Sequence, residues 1–242
     1  MHLTVTCLIP AWNEAARISG VLACVTRHPL IDQVLVVDDG STDCTGAIAS
    51  AAGAEVITQF PNAGKSAAVA RGLGAARGDL VLMLDADLIG LTAEDVTALL
   101  MPVMSGRAEV SISLRGNAPL VWRAIGLDFI SGERVIRRAV LAAHLEEMSR
   151  LRRFGLEVFM NARWLEKTHR LAVVRLNGVS SPAKASKQGM LRGALADAAM
   201  MADIFATVPP LLALQQILRL RQMRIGVTKL SSIVRKTVMP LR

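Results

Sequence analysis

The segment Asp85-Ala86-Asp87 constrains this chain more than any other. It ends the apolar run Leu80-Val81-Leu82-Met83-Leu84, which has the length and composition of a strand buried on both faces. Side chains alternate along an extended chain, so Asp85 and Asp87 leave that strand on the same side. Open α/β sheets bind their ligands at the C-terminal ends of strands. Two hard-oxygen donors at such an end suit Mg²⁺ or Mn²⁺ shared with substrate phosphates. An acidic loop capping the next helix is the structural alternative.

Two upstream segments have the same form. Leu3 to Pro10 is apolar and breaks into Ala11-Trp12-Asn13-Glu14; Val34 to Val37 is apolar and breaks into Asp38-Asp39-Gly40-Ser41-Thr42-Asp43. Helix-like sequence follows each. Alternating strands and helices imply a parallel sheet, and the polar strand ends then converge on one rim. The pattern predicts strands near 3–9, 34–37, 55–58, 80–84, 108–114 and 171–176. It predicts helices near 14–26, 43–52, 64–76, 92–103, 132–149 and 155–167, with Thr92 as an N-cap.

A chain of 242 residues, 52% hydrophobic, fits one α/β domain with extra elements. The absence of Tyr argues against base stacking with single-stranded nucleic acid, and no nucleic-acid partner is expected. Cys7, Cys24 and Cys44 lack metal-ligand spacing and suit a reducing cytoplasm. The first apolar run has no basic region before it and reads as a core strand, not a signal peptide.

Charge is segregated. Residues 1–110 carry 6 Lys and Arg against 12 Asp and Glu, whereas residues 111–242 carry 22 against 8. The acidic half suits metal chelation and the basic half an anionic partner. Gly64-Lys65-Ser66 is not a Walker A loop, because Gln59 stands where that loop needs its first glycine. Lys65 reads instead as a point charge at a helix start.

Residues 204–242 contain no acid and seven Lys or Arg. The uncharged stretch Ile204 to Leu218 is too short to cross a membrane and holds Pro209-Pro210. It predicts two surface-lying helices broken at the prolines. In the second, Leu220, Met223, Val227, Leu230 and Val234 follow helical spacing, as in a helix at a membrane surface or one packed on its own domain or a second subunit. The expected organisation is a catalytic domain over 1–189 and a basic amphipathic extension over 190–242. The first part divides at 110 into a nucleotide and metal half and an acceptor half.

Ile9-Pro10-Ala11-Trp12-Asn13-Glu14, Val37-Asp38-Asp39-Gly40-Ser41-Thr42-Asp43, Asn62-Ala63-Gly64-Lys65 and Asp85-Ala86-Asp87, in that order, resemble the family 2 glycosyltransferases with the GT-A fold. Within that family the second half is similar to polyprenyl-phosphate sugar transferases and to glucosyl-3-phosphoglycerate synthases. The resemblance implies a Rossmann-like, mostly parallel sheet flanked by helices. It also implies a UDP- or GDP-linked sugar donor, with Pro10, Ala11, Asn13, Glu14, Asp39, Lys65 and Asp85 around it. The resemblance implies Asp87 as the direct ligand of Mg²⁺ or Mn²⁺, with Asp85 sharing metal and ribose contacts. Relatives supply a third ligand where this chain has Ile89 or Ser181, so weak metal binding without nucleotide is expected.

On the acceptor side, Arg115, Arg123, Arg134, Arg137 and Arg138 follow the fifth strand, and the resemblance singles out Arg115 and Arg123 as phosphate holders. By the same resemblance Glu157 is the candidate general base if the acceptor is a hydroxyl, or a sugar-positioning group if it is a phosphate. Lys184 and Lys187 fall in a Gly- and Ser-containing loop suited to closing over a diphosphate. The expected acceptor is a polyprenyl phosphate at the inner face of the cell membrane, with inversion. The alternatives are a soluble hydroxyl acceptor such as 3-phosphoglycerate, or nucleotide binding without turnover. Homo-oligomerisation is left open.

Overall fold

The computed structural model describes residues 3–152, 154–167, 170–181 and 209–225. Chain order is β1 (Val5–Ala11), α1 (Ile18–Val25), β2 (Gln33–Asp38), α2 (Thr45–Ala51), β3 (Glu55–Thr58), α3 (Lys65–Ala75), β4 (Leu80–Met83), α4 (Ala93–Met104), β5 (Val110–Arg115) and α5 (Leu120–Ile125). Then follow β6 (Arg134–Arg137), two 3₁₀ turns, α6 (Leu145–Ser149), α7 (Gly155–Lys167), β7 (Leu171–Leu176), α8 (Pro210–Gln222) and β8 (Arg224–Ile225).

One sheet, ordered β3-β2-β1-β4-β6-β5-β7-β8, runs through the described residues. Every pairing is parallel except those of β6. Helices cover both faces, which explains the continuous apolar strands. Along β4, Leu80 and Leu82 join the core that packs α1 and α4. Val81 and Met83 join the opposite core under α3 and α7. The same alternation carries Asp85 and Asp87 toward the α3 side. Thr92 caps α4 in a capping box with Asp95, as its position predicts.

The six predicted strands are present. The helix predicted over 132–149 is not: Arg134–Arg137 forms the antiparallel strand β6 between β4 and β5, and a helix appears only at Leu145–Ser149. Val135 and Ile136 supply a very short apolar signal, which the apolar residues of 139–145 overwrite with helical spacing. Between two buried strands, tertiary pairing decides the outcome.

The C-terminal pattern also differs. The helix starts at the two prolines but ends at Gln222, and the chain enters β8 beside β7. Ala213 and Leu220 are buried in the core beside α7, so residues 210–225 pack on the same domain. Val227, Leu230 and Val234, the 189/190 boundary, and Lys184 and Lys187 lie outside the described residues. Among the described residues, no helix is long and apolar enough to cross a membrane.

Candidate active site

Register brings the acids together. Ala11 pairs with Asp38, so the loops after β1 and β2 leave the sheet side by side. Asn13 stitches them: its Oδ1 accepts from the Thr42 amide at 2.8 Å and its own amide donates to Ser41 Oγ at 2.9 Å. Its positive φ of 55° is one that asparagine tolerates better than most residues. Asp38 accepts from the Ser41 amide, three residues on, at 3.0 Å and so braces the turn. Asp39 accepts from the Ala63 amide at 2.8 Å, the Gly64 amide at 2.7 Å and Gln59 Nε2 at 2.7 Å, and thereby fixes the loop entering α3. Gly64 takes the φ of +92° that this entry requires.

That loop delivers Lys65, the first residue of α3, to the end of β4. Lys65 Nζ lies 2.8 Å from Asp85 Oδ1 and 3.3 Å from Glu157 Oε1. Burial opposes the ammonium charge, but Asp85 and Glu157 outweigh it and hold the lysine protonated. Burial likewise opposes ionisation of Asp85, yet Lys65 holds its carboxyl below the ordinary range. Gly132 sits against Asp85, where any Cβ would overlap the carboxylate.

Asp87 differs. Burial raises its carboxyl, Asp85 and Glu14 push the same way, and Arg115 offsets only part of this. No cation stands within 4.0 Å of it among the described residues. A divalent ion would relieve that repulsion. Among the described residues no three acids, histidines or cysteines are grouped to hold a metal by themselves. The positions of the two missing ligands are occupied otherwise. Ile89 bridges to Ser180, and Ser181 Oγ accepts from Arg115 Nη1 at 2.8 Å. The donor set therefore fits an ion that also takes ligands from a bound diphosphate.

Pro10, Ala11, Glu14, Asp39, Lys65, Asp85 and Asp87 line one cleft of about 330 Å³, together with Trp12, Asn62 and Gly64. Asn13 braces that cleft without lining it, and Glu157 reaches it through Lys65. Arg115 and Arg123 line a second pocket of about 180 Å³ with Arg175 and Asn177. Arg175 and Asn177 were not foreseen. The alternation along β7 distinguishes Arg175, the one exposed residue among buried apolar ones.

Two further acids went unpredicted: Asp128 and Glu133, both buried against Arg115. Arg134, grouped by sequence with the acceptor arginines, is fully buried instead, its guanidinium bonded to the Ser131 carbonyl and stacked 4.8 Å over Trp164. Arg138 bonds the Gly78 carbonyl at 3.3 Å.

An open, mostly parallel sheet with its acids gathered at one rim defines a GT-A-like α/β protein. The chain belongs to the glycosyl transferase family 2, whose family model matches residues 6–142. It is 36% identical over 159 residues to the glucosyl-3-phosphoglycerate synthase of Mycobacterium tuberculosis, covering 60% of this chain and 49% of that one. It is 35% identical over 104 residues to the 4,4'-diaponeurosporenoate glycosyltransferase of Staphylococcus aureus, covering 41% and 28%. The chain thus spans about half the length, or less, of these curated relatives. A crystal structure of the M. tuberculosis synthase with Mn²⁺, UDP-glucose and phosphoglyceric acid superposes with a TM-score of 0.66 at 24% identity, covering 89% of this chain and 80% of that one. This last likeness shows the fold.

Proposed function

We propose that this chain transfers a sugar from a nucleoside-diphosphate sugar to an anionic acceptor. The observation that carries the reading is the meeting of Glu14, Asp39, Lys65, Asp85 and Asp87 in one cleft, with a basic pocket close enough for Arg115 to act electrostatically on Asp85 and Asp87. Asp87, with Asp85, would hold Mg²⁺ or Mn²⁺; bound there, the ion would stabilise the charge that develops on the departing diphosphate.

The chain's own residues supply the rest. Asp39 holds the loop that carries Lys65. Lys65 holds Asp85 and Glu157 in fixed relation. Glu157, buried and facing the cleft through Lys65, orients the sugar or the attacking hydroxyl. Arg115, Arg123 and Arg175 offer planar forks to a phosphate or carboxylate.

The likeness to the glucosyl-3-phosphoglycerate synthase favours a soluble acid such as 3-phosphoglycerate as acceptor over the polyprenyl phosphate suggested by the sequence. One observation supports a lipid phosphate as the second reading. Leu120 and Val121, on the same short helix as Arg123, are 72% and 37% exposed.

The test is transfer of labelled glucose from UDP-glucose in the presence of Mn²⁺, with 3-phosphoglycerate and, separately, polyprenyl phosphate in detergent. Labelled product with the first acceptor, lost in Asp87→Ala, supports the reading. Product with the lipid alone moves the acceptor to the second reading. Transfer indifferent to Asp87→Ala would overturn the site.

A further inference from the structure

Arg115 lines the basic pocket, and two buried acids stand against its guanidinium. Glu133 is fully buried and Asp128 is 1% exposed. Each carboxylate uses one oxygen at home. Glu133 Oε2 accepts from Ser113 Oγ at 2.5 Å and Ser131 Oγ at 3.1 Å. Asp128 Oδ1 accepts from the Ile130 amide at 3.3 Å. The other oxygen of each faces the Arg115 guanidinium: Glu133 Oε1 at 3.5 Å from Nη1, and Asp128 Oδ2 at 4.0 Å from Nη2. Neither of these oxygens, nor Arg115 Nε, has a hydrogen-bond partner among the described residues.

Two buried anions face Arg115 at such separations, and the buried Arg134 acts on them only through space, without a hydrogen bond to either; this costs stability, since desolvation is offset only by close, fully bonded geometry. Apolar residues would fill the same space at less cost. Unmade bonds of buried polar groups call for an explanation, and function is a common one.

We infer that Asp128 and Glu133 are positioning residues, which aim the Arg115 guanidinium into the basic pocket so that its outward edge meets the acceptor anion. The two acids are buried against the guanidinium, while the half-buried Ser181 accepts from Nη1 at 2.8 Å. Held by the acids and by Ser181, the fork keeps its plane; without the acids it is free to turn toward Asp85 and Asp87, which also attract it. The inference rests on the acceptor reading of this pocket.

Both are tested by calorimetric titration of the full chain with inorganic phosphate, using UDP with Mn²⁺ as the donor-side control. Arg115→Ala tests the pocket: unchanged phosphate binding in that variant, or no phosphate binding by the unaltered chain, would overturn the acceptor reading and the inference with it. Given loss of binding in Arg115→Ala, Asp128→Asn and Glu133→Gln are expected to weaken phosphate binding by about tenfold and to leave UDP binding within about twofold. Asp128→Asn is also expected to raise the melting temperature, a combination that a merely structural residue does not give. Phosphate affinity unchanged or tighter in Asp128→Asn would overturn the positioning role alone. If Glu133→Gln does not fold, Asp128→Asn decides.

Discussion

Asp128 offers a stability measurement whose sign and size follow from its surroundings. Burial lifts its carboxyl from the ordinary value of 3.8 to about 6; Arg115 pulls the other way, Glu133 adds to the lift, and the Ile130 amide and Arg134 oppose it weakly. A folded-state value above the unfolded one means that the folded state prefers the proton. Stability from this group is therefore fully present below about pH 4, falls as pH rises from 4 to 6, and stays low above 6. The difference between 3.8 and 6 corresponds to about 3 kcal/mol.

Asparagine cannot ionise, so the advantage of Asp128→Asn over the unaltered chain should be about a third of its full size near pH 4.5 and complete at pH 8. The excess is at most about 3 kcal/mol, because the amide does not attract Arg115. At roughly 2–4 °C per kcal/mol for a chain of this size, the melting temperatures should separate by up to about 6–12 °C. Differential scanning calorimetry of both proteins from pH 4.5 to 8 measures the gap. Contributions from titrating groups that are not coupled to Asp128 cancel in the difference. A gap that is constant across this range, or that closes as pH rises, would refute the reasoning.

Three other substitutions have defined outcomes. Gly132→Ala places a methyl group on the Asp85 carboxylate and should lower UDP binding in the presence of Mn²⁺ by about tenfold or more, with the circular dichroism spectrum retained; unaltered binding would show that Asp85 has room to move. Gly72→Ala drives a methyl group from α3 into Leu8 and to within 3.0 Å of Val37, and should cost about 1–3 kcal/mol in urea denaturation. Thr92→Ala removes the α4 capping box and should cost about 1 kcal/mol by the same measurement, without effect on nucleotide binding.

What was legible in the sequence was set by local, repeated signals. Leu80 to Leu84 reads as a buried strand because helices cover both sheet faces, and the acids that end three parallel strands share a rim because parallel strands end together. Thr92 announces its helix through a hydrogen bond made three residues away. β6 was illegible because it has only two apolar residues and its identity comes from β4 and β5, about fifty and twenty residues distant. Asp39 reads as a ligand-facing acid, yet its carboxylate already accepts three hydrogen bonds from the 59–64 segment, and only the fold reveals that second duty. Arg134 reads as one of the acceptor-side arginines and is buried instead, because Trp164 and the Ser131 carbonyl wait for it. Asp128 and Glu133 carry no motif; their meaning depends on Arg115, which reaches them only once β5 and β6 pair.

The joint grip of the strand-end acids on a metal ion and a diphosphate is tested most directly by titrating UDP into the full chain with and without Mn²⁺, for the unaltered protein and for Asp87→Ala. UDP should bind more tightly with Mn²⁺ in the unaltered protein, and the ion should make no difference in Asp87→Ala. Equal enhancement by Mn²⁺ in both proteins would contradict the account.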